Sequence, residues 1–164
     1  MPQNQQAFLN NALLGAVKEP SLDLQTRSFL ITAFLQSGAE VNARDQEGRT
    51  SLMLAVLDQD LATVRFLLAM HGTSVSVRDH NGQTALMHAS YKGCFEIVRA
   101  LVSAECGEEQ FKVRDTAGRT ALMYAEQCGH SEIAEFLKRR HFRVAQDTSD
   151  GCCDQTGKPT YALR

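Results

Sequence analysis

Three stretches of this chain repeat one another: GRTSLMLAVLDQD at 48–60, GQTALMHASYKGC at 82–94 and GRTALMYAEQCGH at 118–130. From Gly48 to Gly82 the step is 34 residues and from Gly82 to Gly118 it is 36. Asp45, Asp79 and Asp115 move with the same steps, as do Thr50, Thr84 and Thr120. A period in this range describes a supersecondary unit that cannot bury its apolar face alone, so successive units must stack.

The local chemistry of one unit is legible. Asp-x-x-Gly is turn chemistry: the Asp side chain bonds the backbone ahead of it and Gly accepts a positive φ. The Thr two residues after the Gly predicts a helix N-cap, its hydroxyl accepting an otherwise unpaired N–H. Leu52, Ala55 and Val56 then recur at helical spacing, as do Leu86 with Ala89 and Leu122 with Ala125. Gly93-Cys94 and Gly129-His130 predict the end of that first helix. TVRFLLAM, EIVRALVSA and EIAEFLKRR predict a second.

D-x-x-G-x-T-[AS]-L-M-x-A, the G-H-x-E-I segment and S-G-A-E-V-N together resemble the ankyrin repeat, strongly over about residues 29–138. The resemblance implies an all-α solenoid of about four helix-turn-helix repeats with β-hairpin-like turns. An N-terminal cap repeat would occupy about 5–44, repeats about 45–78, 79–114 and 115–146, and a tail 147–164. The family's T-P-L-H reads T-S-L-M or T-A-L-M here, so Met53, Met87 and Met123 stand where a histidine bonds locally; packing between repeats is expected of them instead. At Gln59-Asp60 the family's Gly-His pair is absent, which leaves that inter-helix turn in doubt. SAECGEEQ adds about three residues and should bulge at the outer edge, while Lys138, Arg139 and Arg140 read as a solvent-facing final helix. Asp147, 32 residues after Asp115, hints at a further turn.

Composition narrows the function. A chain of 164 residues with 43% hydrophobic and 22% charged residues suits a packed array, and a formal charge of −2 argues against a chain-wide nucleic-acid or membrane surface. No apolar run approaches a membrane span and the first residues lack the basic start of a secretory signal. Five cysteines without regular spacing read as free thiols in a reducing compartment, the cytoplasm or the nucleus. No catalytic motif is found. The tail segment GCCDQTGKPT fails as a phosphate loop because five residues, not four, separate Gly151 from Gly157 and Pro159 follows the lysine. No cofactor is implied.

The resemblance instead implies binding of another protein on the concave surface formed by turn tips and the exposed ends of the first helices. By motif position that surface comprises Arg44, Gln46, Glu47, Arg49, Leu57 and Asp58, then Arg78, His80, Asn81, Gln83, Tyr91 and Lys92, then Arg114, Thr116, Ala117, Arg119, Gln127 and Cys128. Six of these are Lys or Arg and two are Asp or Glu. Arg44, Arg78 and Arg114 precede the turn aspartates and would form a row suited to carboxylates or phosphates, with Tyr91 as an aromatic anchor. The expectation is a monomeric, non-enzymatic scaffold for an acidic or phosphorylated protein segment. A rival is a thiol- or zinc-dependent module using Cys94, Cys128 and His130. The other reading of the row is that each Arg pairs with a nearby Asp or solvates its turn.

Overall fold

The computed structural model describes residues 3–19, 21–104 and 109–147. Its elements are α1 (Gln3–Lys18), α2 (Leu24–Gln36), α3 (Ser51–Leu57), α4 (Leu61–Ala69), α5 (Ala85–Lys92), α6 (Phe95–Ala104), α7 (Glu109–Lys112), α8 (Ala121–Gln127) and α9 (Ser131–Asp147). Helices pair as α1–α2, α3–α4, α5–α6 and α8–α9. Contacts between pairs run α1–α3–α5–α8 along one layer and α2–α4–α6–α9 along the other. No strand occurs among the described residues; one isolated bridge joins Arg44 to Thr50. The result is the predicted stack of helix pairs.

The two middle inner helices, α3 and α5, are short and buried almost throughout. In α3 every residue from Ser51 to Val56 is buried, and in α5 every residue from Ala85 to Ser90. Both layers feed one continuous core that includes Leu13, Ile31, Val56, Leu67, Leu86, Leu101, Ala125 and Leu137. Met53 and Met87 are each 1% exposed, as expected of residues packed between repeats. Met123 departs from that expectation at 39% exposed, because α8 belongs to the last described helix pair and no further pair covers it among the described residues.

Helix ends follow the predicted chemistry, with exceptions. Thr50 and Thr120 accept from the backbone N–H groups of Met53 and Met123 at 3.4 and 3.3 Å. Thr84 holds the same extended backbone but makes no capping bond, and nothing in the structure explains the difference. Gly93 and Gly129 leave the inner helices at φ values of 77° and 76°. Gln59 takes the same left-handed conformation at φ 59°, so the missing glycine does not change the turn; it places a side chain in strained backbone.

A short helix, α7, takes up the last two residues of SAECGEEQ, and α9 remains helical through Asp147; the further turn hinted at there falls on residues outside the described ones. The bulge expected at SAECGEEQ falls on residues 105–108, and the tail beyond 147 with Cys152-Cys153 likewise lies outside the described residues.

Candidate partner-binding face

Each turn is built around its aspartate. Asp45 Oδ1 accepts from Glu47 N and Arg49 N at 3.0 and 2.9 Å. Asp79 Oδ1 accepts from Asn81 N and Gln83 N at 2.9 and 2.8 Å, and Asp115 Oδ1 from Ala117 N and Arg119 N at the same distances. Backbone bonds then join one turn to the next: His80 N donates to Glu47 O at 3.0 Å and Thr116 N to Asn81 O at 2.9 Å. The turn tips thus form one continuous edge carrying Arg44, Gln46, Glu47, His80, Asn81, Arg114 and Thr116.

The second carboxylate oxygen distinguishes the repeats. Asp45 Oδ2 takes Arg49 Nε and Nη2 at 3.0 and 2.8 Å, with Lys18 Nζ at 3.4 Å. Asp79 Oδ2 instead meets His88 Nε2 at 3.0 Å, since Gln83 stands where the other repeats have arginine. Asp115 Oδ2 accepts from Tyr124 Oη at 2.6 Å and Arg119 Nε at 3.0 Å, and Arg119 also lies 4.6 Å above the Tyr124 ring. Gln83, released from its own turn, donates to Tyr124 Oη of the next repeat.

These contacts set the ionisation. Burial raises the pKa values of Asp45 and Asp115, but hydrogen bonds from arginine and backbone outweigh it for Asp45, as do those from Tyr124 and Arg119 for Asp115. Asp45 ends well below the usual carboxylate range and Asp115 is lowered to about 2. For His88 burial dominates: its pKa falls below 6.5 although Asp79 pulls it up. The neutral imidazole donates through Nε2 to the carboxylate.

The arginine row divides into two kinds. Arg49 and Arg119 are neutralised by Asp45, Glu47 and Asp115. Arg78 and Arg114 are held by neutral carbonyls: Arg78 Nε donates to Gly82 O at 3.1 Å and its Nη2 to Arg114 O, while Arg114 Nη1 donates to Gly118 O at 2.8 Å. Among the described residues no carboxylate lies within ion-pair reach of Arg44, Arg78, Lys92 or Arg114, and all four are exposed. The expected row therefore contains three guanidinium groups whose charge is not cancelled, two of them fixed in place.

At the far ends of the inner helices stand Leu57 and Asp58, Tyr91 and Lys92, and Gln127 and Cys128. A seven- or eight-residue helix, about 10–12 Å long, separates these from the turn tips. Tyr91 is 55% exposed and packs edge-on against Tyr124, with ring centres 6.1 Å apart. His130 donates through Nε2 to Tyr91 O at 3.2 Å, which holds the imidazole on a backbone carbonyl. Among the described residues no three His, Cys, Asp or Glu side chains are grouped to hold a metal, so Cys94, Cys128 and His130 are not brought together as a ligand set.

The family model "Ankyrin repeats (3 copies)" matches residues 13–115 and 71–150. The chain is an ankyrin-repeat protein. Ankyrin repeats are protein–protein interaction modules and the family is generally a non-enzymatic scaffold. No curated protein matches the chain significantly. No helix among the described residues is long and apolar enough to cross a membrane.

Sequence reasoning missed one junction. Arg27 is buried and reaches from α2 to the next repeat, where Nη1 bonds Asp60 Oδ2 and lies 3.3 Å from Thr63 Oγ1. Its Nη2 donates to Glu19 O and Leu22 O at 2.7 and 3.2 Å. Asp60 simultaneously caps α4 through Ala62 N and Thr63 N. A single charge among apolar α2 positions was the available signal; its partner, 33 residues away, was not.

Proposed function

We propose that this ankyrin-repeat protein is a non-enzymatic scaffold that binds an acidic or phosphorylated segment of another protein across its turn tips and inner helices. The observation that carries this reading is the pairing state of the arginines. Arg78 and Arg114 present uncancelled charge from fixed positions, so an incoming carboxylate or phosphate need not displace an internal partner or order a free side chain. Arg44 adds a charge at the preceding turn, and at the far end of α5 Lys92 adds another while Tyr91 supplies a partly exposed aromatic surface. Arg49 and Arg119, already neutralised, act as turn braces. A reducing compartment, cytoplasm or nucleus, suits the unpaired Cys94 and Cys128.

Fluorescence anisotropy against peptide sets that are acidic, phosphorylated, neutral or basic tests the proposal. Acidic or phosphorylated peptides should bind, more weakly as salt rises, and Arg44→Glu/Lys92→Glu should abolish binding without touching a turn carbonyl. Arg78→Glu/Arg114→Glu should do the same after circular dichroism has established that the turns survive. Binding that is indifferent to peptide charge, or that persists in both variants, refutes the assignment.

A further inference from the structure

The turn arginines use their donors differently. A guanidinium takes a carboxylate or phosphate best along the edge formed by Nε and Nη2, which offers two parallel N–H groups. Arg49 and Arg119 commit that edge to Asp45 and Asp115. Arg78 commits it to Gly82 O and Arg114 O. Arg114 reaches its turn carbonyl, Gly118 O, through Nη1 at 2.8 Å, so its Nε–Nη2 edge has no partner among the described residues. Arg44 has that edge free too, but among the described residues no side-chain hydrogen bond holds it in place. Arg114 alone of these five is both fixed and open along the edge that grips an oxyanion. Its turn is also the uncovered one. A Cβ at Gly48 would strike His80 and one at Gly82 would strike Arg78 and Thr116, whereas no described residue stands within 4 Å of that position at Gly118.

Contacts run from this turn to Tyr91. Arg119, next to Gly118, lies 4.6 Å above the Tyr124 ring, and Tyr124 meets Tyr91 edge-on with ring centres 6.1 Å apart. Tyr91 is 55% exposed, and His130 holds its carbonyl. Given the acidic or phosphorylated ligand proposed above, we infer that the segment is held at two points: an oxyanion on the free edge of Arg114 and an aromatic side chain on Tyr91. The spacing follows from the geometry. Arg119 and the Tyr91 ring are about 11 Å apart at most, Arg114 lies on the far side of Gly118, and extended chain advances 3.3–3.6 Å per residue, so the two groups stand about three to five residues apart. The segment therefore lies along α5 and α8, from the turn tips toward the ends of these helices. Lys92, exposed beside Tyr91 and without an ion-pair partner among the described residues, disfavours a basic side chain at the second point. Both anchors are already placed in the free protein, so binding orders the segment alone.

Fluorescence anisotropy of the full chain with labelled Gly/Ser peptides tests this. Each peptide carries one oxyanion group, glutamate in one series and phosphoserine in the other, with a phenylalanine one to eight residues away; peptides without phenylalanine are the reference. Spacings of three to five should bind about tenfold more tightly than spacings of one or eight. Tyr91→Ala should bring the whole series down to the reference, and Tyr91→Phe should keep the preference. Arg114→Lys, which keeps the charge but loses the two-donor edge, should cost about tenfold at every spacing, and Arg78→Lys distinctly less. Comparing the two series tells which group supplies the oxyanion. Equal affinity at all spacings overturns the inference, as does a preference that survives Tyr91→Ala with an unchanged circular dichroism spectrum, or an Arg78→Lys loss equal to that of Arg114→Lys. In each of those cases the reference peptides still bind and the charge-based function stands. Failure of every peptide to bind, reference included, overturns both.

Discussion

Replacing Gln59 by glycine should stabilise the protein. Gln59 sits at φ 59° between α3 and α4, where the next two repeats have Gly93 at 77° and Gly129 at 76°. An L-residue in left-handed backbone costs roughly 1–2 kcal/mol. Glycine removes that strain but loses more freedom on folding, a cost of about 0.5–1 kcal/mol. The net gain is therefore about 0.5–1 kcal/mol, or roughly 1–4 °C in Tm for a chain of this size. The turn itself should persist, since Gln59 N still donates to Val56 O and Asp60 N to Ala55 O, both at 3.0 Å. The converse change, Gly93→Ala, should be clearly destabilising: φ is 77° there, and the new Cβ would stand 2.5 Å from His130 Cε1, whose ring is tied to Tyr91 O. Paired thermal and urea unfolding curves measure both. If Gln59→Gly leaves stability unchanged or lowers it, strain at this turn does not limit the stack and the reasoning fails.

Arg27→Met should lower unfolding free energy by about 3 kcal/mol, the low end for breaking a buried ion pair because Asp60 keeps some solvent access; a loss under about 1 kcal/mol by urea titration would show that the junction holds without it. Stability should also fall with acid. Asp45, Asp60 and Asp115 have folded pKa values below 3.8, so their contribution is complete above that value and lost as pH drops through the folded ones. Neutral His88, depressed below 6.5, adds a smaller loss as pH falls beneath 6.5. Urea midpoints at pH 7, 5 and 3 should decline in that order, and equal midpoints would contradict the assignment.

The repeat period, the Asp-x-x-Gly turns and the helical spacing of apolar residues by themselves determined the architecture. Each is a local signal, and the units are alike, so reading one reads them all. They also placed Arg44, Arg78 and Arg114 in equivalent positions. Whether those charges are available was not legible. Arg78 directly precedes its turn aspartate and Arg49 follows its own by four residues, yet Arg49 closes on Asp45 and Glu47 while Arg78 reaches two carbonyls, one in the next repeat. The same holds for Arg27 with Asp60 and for Gln83 with Tyr124, whose partners come from a neighbouring unit. Side-chain pairing across a stacked interface depends on which donor arrives within hydrogen-bond distance of which acceptor, and only the packed structure brings residues from different repeats that close. Local chemistry therefore determined the shape of this protein, and tertiary contact decided where its charge remains open to a partner.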